Sequence, residues 1–472
     1  MSTTPAERWT RVGLLLCLGW YLLQAGYFVA RIDPAVAPDH AHHLQLVETM
    51  HQFGFFVPLE RVDPYLATTS RNFFVYHWLL SFFVPLAAPL GLALPTLLRL
   101  LNVLLGLPFF WFVFKGSKLA LGSAPRALWA VFLLSNVLML SFLFSSISWD
   151  NLINLCAAGL IYHLFRYAKE REPGSLFGVF AWLGFGCLVK AAFFPLALLS
   201  LLVLAWDSRA DFRGAWRSAR EAFARATLAR RALVATVLGL LLCANVALHG
   251  RAFVLYGKLS PRCADVVAQA SCLQKHPIIE KYALLAERLG ERRDLLLDPI
   301  HYAFTWADYM IEKSLGIFGY ASFYQGRLFL GVVELFLLFA LLRLARILSQ
   351  RDKLLLYGAF IATSFAMVLI AWVNFPTYQR FHVLPRYTFI AVQGRYLFGV
   401  LPLIVMLVAH AFASVERRWW RLGLGVTLSL LLWVGGFPTF VLDGGPGSLT
   451  DNGTLQWKYQ RLLHGEQDFV HP

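Results

Sequence analysis

Apolar runs of about twenty residues recur along the chain from residue 11 to residue 441, and no other feature limits its fold so tightly. An α-helix rises about 1.5 Å per residue, so about 20 residues cross the roughly 30 Å hydrocarbon core of a bilayer while bonding every backbone group internally. The runs are continuously hydrophobic and lack the alternation of a membrane strand, which excludes a β-barrel. The expected fold is all-α: a polytopic integral membrane protein with about eleven transmembrane helices. Composition agrees, since 58% of the 472 residues are hydrophobic and 40 are Phe, more than a soluble core of this size uses.

A formal net charge of +15 would suggest nucleic acid in a soluble protein. Here the basic residues sit in short runs between apolar segments, "KGSK", "RYAKER" and "RRWWR", which read as cytoplasmic loops and leave no nucleic-acid partner. The first apolar run follows "MSTTPAERWTR" without a small-residue cleavage site before Asp33 and reads as a retained span. Crossings can then be counted between basic marks. Residues 11–30 lead outward and "KGSK" at 115–118 lies inside, yet two apolar stretches, 75–95 and 97–114, come between. The first holds His77, Pro85, Pro89, Gly91 and Pro95, so it is expected to lie in the outer leaflet without crossing. Later crossings fall at 126–145, 149–166, a hairpin over 175–206 turning near Lys190, 232–249, 328–346, 354–373, 396–415 and 421–441.

This gives one transmembrane unit over 1–441, containing a first outer loop at 31–96, a cytoplasmic segment at 207–231 and a large outer loop at 250–327. An outer-face tail follows at 442–472. In the cytoplasmic segment arginines alternate with Trp216 and Phe223, the pattern of an amphipathic helix on anionic lipid. No internal repeat is evident, which weighs against a transporter built from related halves.

Polar chemistry collects on the outer face. In "PDHAHH", Asp39 precedes a helical pattern and taken alone reads as an N-cap. His42 and His43 share its helical face and are open to three roles: headgroup contact, metal ligand or substrate contact. A zinc site would need one more ligand than this spacing supplies, so the metal is unknown and a divalent ion stays open. In "SSISWDNLINL", Asp150 and Asn151 stand where an outer loop becomes a span, where either could cap a helix. Lys190, in "GCLVKAAFFP", lies within some thirty apolar residues; it either snorkels outward or marks a pathway, a partner or a ligand. Arg395, in "AVQGRYLFGVLP", stands at an outer helix entrance against the positive-inside preference and calls for an anionic partner such as a lipid phosphate. Cys17, Cys156, Cys187 and Cys243 fall in apolar runs as packing residues. Cys263 and Cys272, in "CADVVAQASC", are either free or joined as a local disulfide. A carboxylate base with cations to meet a departing phosphate is the inventory for transfer from a lipid phosphate, and an ordinary carboxylate is already ionised at neutral pH.

The order of these elements resembles the GT-C superfamily of membrane glycosyltransferases, which includes protein O-mannosyltransferases and lipid A aminoarabinose transferases. "PDHAHH" resembles the acidic first-loop motif, "FVYHWLLSFF" the following apolar stretch, "SWDNLINL" a span-opening motif, "GFGCLVK" a lysine-bearing run, "EKSLGIFGYASF" a loop motif, and "QGRYLFG" a final arginine motif. The resemblance spans about residues 10–415. It implies an inverting transferase that takes a sugar from a polyprenyl phosphate to a lipid, glycan or protein acceptor. By the same resemblance Asp39 is the catalytic base, Asp150 assists substrate or metal, and Lys190 and Arg395 meet the donor phosphate. His40, His43, Asn151, Gln393 and Tyr396 become substrate contacts. The first outer loop would carry membrane-surface helices, and the setting would be a bacterial cytoplasmic (inner) membrane with the site facing the periplasm or exterior. His40 stands where the family motif has a second acid, which leaves Asp39 as the sole local base. The contrasting expectation is a lipid-linked sugar transporter or a non-catalytic scaffold of envelope glycan assembly. A transporter spreads charges to mid-membrane depth over several helices, a description only Lys190 approaches.

Overall fold

The computed structural model describes residues 5–37, 39–54, 75–259, 296–318, 325–349, 352–383 and 392–442, with isolated positions at 57, 261, 265, 286, 290 and 322–323. Helix α1 (Pro5–Arg31) leads through a 3-10 turn (Pro34–Val36) to α2 (His40–Phe53) and α3 (Val75–Ser81). Next come α4 (Leu94–Leu121), α5 (Ala124–Ser135), α6 (Leu138–Phe144) and α7 (Trp149–Glu170). Helix α8 (Pro173–Val189) breaks at Lys190 before α9 (Phe194–Ser208), α10 (Phe212–Arg225) and α11 (Leu228–Asn245). A π turn carries α11 into α12 (Arg251–Tyr256). Helix α13 (Pro299–Leu315) precedes a hairpin of β1 (Ile317–Phe318) and β2 (Ser322–Phe323), paired antiparallel with Ile317 opposite Phe323. The chain then forms α14 (Arg327–Ile347), α15 (Lys353–Val368), α16 (Phe375–Phe381), α17 (Leu401–Ala413), α18 (Arg418–Gly435) and α19 (Phe437–Leu442).

Apart from that short hairpin the described chain is helical, and it is a polytopic membrane protein as expected. Among the described residues seven helices are long and apolar enough to cross a membrane, or eight if the bent pair α5–α6 is one span. The segments Val75–Leu86, Pro173–Val189 and Leu401–Ala413 are shorter apolar helices, so length and composition do not by themselves reach the eleven crossings expected. Val75–Leu86 would extend about 18 Å as a helix, too short for the hydrocarbon core. Its breakers act as expected: α3 ends at Ser81 and a 3-10 turn over Val84–Leu86 replaces it.

Helix α7 is absent from the seven, yet it is the axis of the bundle. It buries sixteen of its 22 residues, Asn151 and Asn154 among them, between α4 on one side and α8 on the other. Protein encloses it more completely than the long apolar helices, so it can carry polar groups that a lipid-facing span could not.

The expected crossing at 126–145 is two helices, α5 and α6, meeting at 74°. Neither Gly nor Pro stands at the break; Asn136 does. Its Nδ2 donates to Phe132 O, the local competition that ends helices at Asn. Helix α1 satisfies what the bend exposes: Trp20 Nε1 donates to Asn136 Oδ1 at 3.1 Å and Gln24 Nε2 to Ser135 O at 2.9 Å. All seven residues of α6 are buried. The bend therefore turns α6 across the interior and delivers Ser145–Ser148 to the start of α7.

Helix α10 is the amphipathic segment expected within 207–231. Asp211 caps it by accepting from Gly214 N, Phe223 meets Phe177 of α8 at a ring distance of 6.1 Å, and Trp216 stays 65% exposed beside Arg213 and Arg217. The tail at 443–472, much of the large loop with Cys263 and Cys272, and residues 58–74 of the first outer loop lie outside the described residues.

Candidate active site

Four helix ends meet on one side of the bundle. Asp39 follows the 3-10 turn after α1 and adopts the left-handed region, φ 59° and ψ 18°, one of two non-glycine residues to do so among those described. Aspartate tolerates that conformation because its short polar side chain can be bonded locally. Its carbonyl accepts His43 N and opens α2, but its carboxylate makes no cap bond. The N-cap expectation thus holds for the position and not for the side chain, which reaches 3.4 Å from Arg395 Nη2.

Capping at α7 falls to Ser148, whose Oγ accepts from Asp150 N at 3.3 Å. Asp150 is left in the first turn, where the helix dipole favours negative charge. Lys190 Nζ donates to Asp150 Oδ1 at 2.5 Å, and Arg395 Nε stands 3.6 Å from Oδ2. Lys190 arrives from the C-terminal end of α8, where the backbone turns extended at φ −161° and ψ 141° and stops the helix. Its ammonium lies 5.1 Å from the Trp149 ring and 5.6 Å from that of Tyr396, so aromatic faces as well as a carboxylate hold the cation.

Arg395 sits in a 3-10 turn over Gly394–Leu397. A Cβ on Gly394 would stand 2.4–2.5 Å from backbone atoms of Lys313 and Ser314, so glycine alone lets this turn lie flat on α13. Lys313 Nζ fastens the same junction by donating to Val392 O at 2.8 Å. The result is a continuous row, Asp39–Arg395–Asp150–Lys190, graded in exposure: the Asp39 side chain is 56% exposed, Lys190 17%, Asp150 7% and Arg395 6%.

A histidine pair backs the row. His43 Nδ1 and His77 Nε2 lie 2.8 Å apart, with Trp149 against both rings. Burial, then the charges of His77, His42, Arg395 and Lys190, hold His43 well below the usual histidine range. His40 is pushed down to about 4 by burial and then by Arg99. So His43 feels the row, whereas the charges on His40 are those of Arg99 and Asp33. Below them Tyr76 OH and Asn151 Nδ2 both donate to Asn102 Oδ1 at 2.9 Å, and Asn151 also donates to Leu143 O and Ser146 O. Asn151 is fully enclosed. Gln393 is half-buried and accepts Tyr396 N through its carbonyl, while the Tyr396 ring lies 5.6 Å from the Arg395 guanidinium.

The sequence reading passed over Arg99, which anchors the floor. It is 3% exposed and donates to Phe28 O, Val29 O and Ile32 O at the end of α1 and to Ser145 O at 2.6 Å. A charge inside "LPTLLRLLNVLL" is a signal in its own right. Ser148, a serine directly before a helical run, carries the sequence signal of a cap, and His77, in the helix-breaking stretch, is half of the histidine pair. Among the described residues no three His, Cys, Asp or Glu side chains are grouped to hold a metal ion, and both Asp150 oxygens already face cations.

No curated protein and no solved structure matches the chain. Residues 74–238 match the family described as dolichyl-phosphate-mannose-protein mannosyltransferase, a narrower stretch than the motifs suggested, taking in Asp150 and Lys190 but not Asp39 or Arg395. Over that stretch the chain is similar to this family of GT-C type, and the match supports a multi-pass membrane glycosyltransferase.

Proposed function

We propose that the protein transfers a sugar from a polyprenyl phosphate to an acceptor hydroxyl on the outer face of a bacterial cytoplasmic membrane, with inversion. The observation that carries this reading is the row of alternating charges, exposed at Asp39 and enclosed at Arg395 and Lys190. Asp39 takes the proton from the acceptor hydroxyl. The acceptor oxygen then bonds the anomeric carbon as the bond from that carbon to the phosphate oxygen breaks, and the phosphate leaves with the electron pair. Arg395 and Lys190 offset the charge that develops on it. Asp150 acts through these two cations and is a positioning residue. It is a poor candidate for the base, since both its oxygens face cations and its side chain is only 7% exposed. Of the expected substrate contacts, Tyr396 lies against the row, its ring 5.6 Å from both the Lys190 ammonium and the Arg395 guanidinium.

The test is transfer of labelled sugar in membranes from a mixed pool of polyprenyl-phosphate donors, comparing wild type with Asp39→Asn at matched expression. Loss of a general base lowers the rate about 10²- to 10⁴-fold. Equal transfer by both would remove Asp39 as base. No transfer by either, with acceptor membranes present, would favour movement of a lipid-linked sugar over its transfer.

A further inference from the structure

At the end of the bundle opposite this row, a cleft of about 360 Å³ opens between the start of α5, the end of α17 and the start of α18. Arg126, Arg418 and Arg421 line its mouth, and among the described residues no acidic side chain lines it. Inward the lining turns apolar, with Trp129, Leu133 and Leu428. Leu133 and Leu428 also border a second, almost wholly apolar hollow of about 130 Å³ that continues along α14 and α17. Gly425 faces the Trp129 ring across the passage. Trp419 and Trp420, 78% and 63% exposed, flank the mouth, and tryptophans of this kind settle at headgroup depth.

Arginines at this face would follow from membrane orientation alone. An inter-helix cleft that joins three of them to an apolar path running into the bundle does not. The shape and charge fit one kind of molecule, an amphiphile with an anionic head and a hydrocarbon tail. We propose that this cleft is a binding site for an anionic phospholipid, its phosphate held by Arg126, Arg418 and Arg421 and one acyl chain laid along Leu133 and Leu428. The site lies in the leaflet opposite the charged row and does not depend on the proposed transfer reaction.

The full chain is purified in nonionic detergent, titrated with phosphatidylglycerol or with phosphatidylcholine of the same chains, and its bound lipids are counted by native mass spectrometry. One phosphatidylglycerol is expected to be retained and phosphatidylcholine lost. Each basic residue facing an anionic lipid is worth roughly fivefold in binding, so the triple variant R126Q/R418Q/R421Q should weaken retention about a hundredfold. Replacement of the three by lysine should keep most of it, which separates lost charge from lost fold. Ala413→Phe, which fills the cleft but leaves the arginines in place, should abolish it. Equal retention of the two lipids, undiminished binding by the glutamine or phenylalanine variant, displacement by millimolar inorganic phosphate, or preference for a polyprenyl phosphate at equal charge would each overturn the assignment.

Discussion

Substituting Asp150 by Asn removes one charge and changes little else, yet its effect should be large. Lys190 Nζ lies 2.5 Å from one Asp150 oxygen and Arg395 Nε 3.6 Å from the other, all three side chains being mostly enclosed. At an effective dielectric constant near 20, charges 4 Å apart attract by about 4 kcal/mol, most of which offsets the cost of taking them out of water. The net worth of the intact group is therefore small. Removing its central anion is another matter, because two enclosed cations are left with only the half-exposed Asp39 between them and water. Breaking a buried pair from one side costs about 3–5 kcal/mol. Replacing Lys190 by Met as well should recover much of this, since the uncompensated charge goes too. Thermal unfolding in one fixed detergent, followed by helical circular dichroism, provides the comparison through a double-mutant cycle. An Asp150→Asn protein as stable as wild type, or a double variant whose loss equals the sum of the single losses, would refute the reasoning. Either result would mean that water reaches the group freely.

Gly394→Ala should lower transfer while the protein still inserts, because the methyl group must push the Arg395 turn off the 313–314 backbone; activity unchanged at matched expression would show that the turn yields. Arg99→Met takes the side-chain donor from Val29 O and Ile32 O at the end of α1 and from Ser145 O, and at about 1–3 kcal/mol for each unsatisfied group it should lower thermal stability well beyond Arg213→Met on exposed α10, as paired melts would show. His40, held down to about 4 by burial and then Arg99, is lowered relative to the unfolded chain; its contribution is present above the unfolded value near 6.5 and lost as pH falls from there toward 4. The share of the decline across that window that His40→Asn removes should be on the order of 3 kcal/mol, read from paired melts of the two proteins.

Much of this was legible because membrane burial makes charge conspicuous. Lys190 and Arg395 announce themselves as cations where lipid tolerates few, and Asp39 and Asp150 as acids at helix starts, so the four residues of the row could be named without coordinates. What joins them could not. The contact between Asp39 and Arg395 closes 356 residues of chain, and no local pattern encodes a pairing of that reach. The bend between α5 and α6 was hidden for a different reason. Hydropathy integrates over a window and reads 126–145 as one span, whereas the break depends on one asparagine and on Trp20 and Gln24, more than a hundred residues earlier. Helix α7 was expected as the crossing at 149–166; what the sequence did not show is that it stands in the interior, where its neighbours supply its polar residues with the partners that water would.

That bend also bears on how the protein is made. Helix α1 precedes α5 in the chain, so during synthesis its Trp20 and Gln24 are already membrane-embedded when Ser135 and Asn136 leave the ribosome. The kinked pair can then exchange the polar surroundings of the insertion channel for waiting hydrogen-bond partners, and never has to face lipid with open backbone. Biogenesis and architecture are thereby coupled: the order of translation supplies the template on which the bent segment folds.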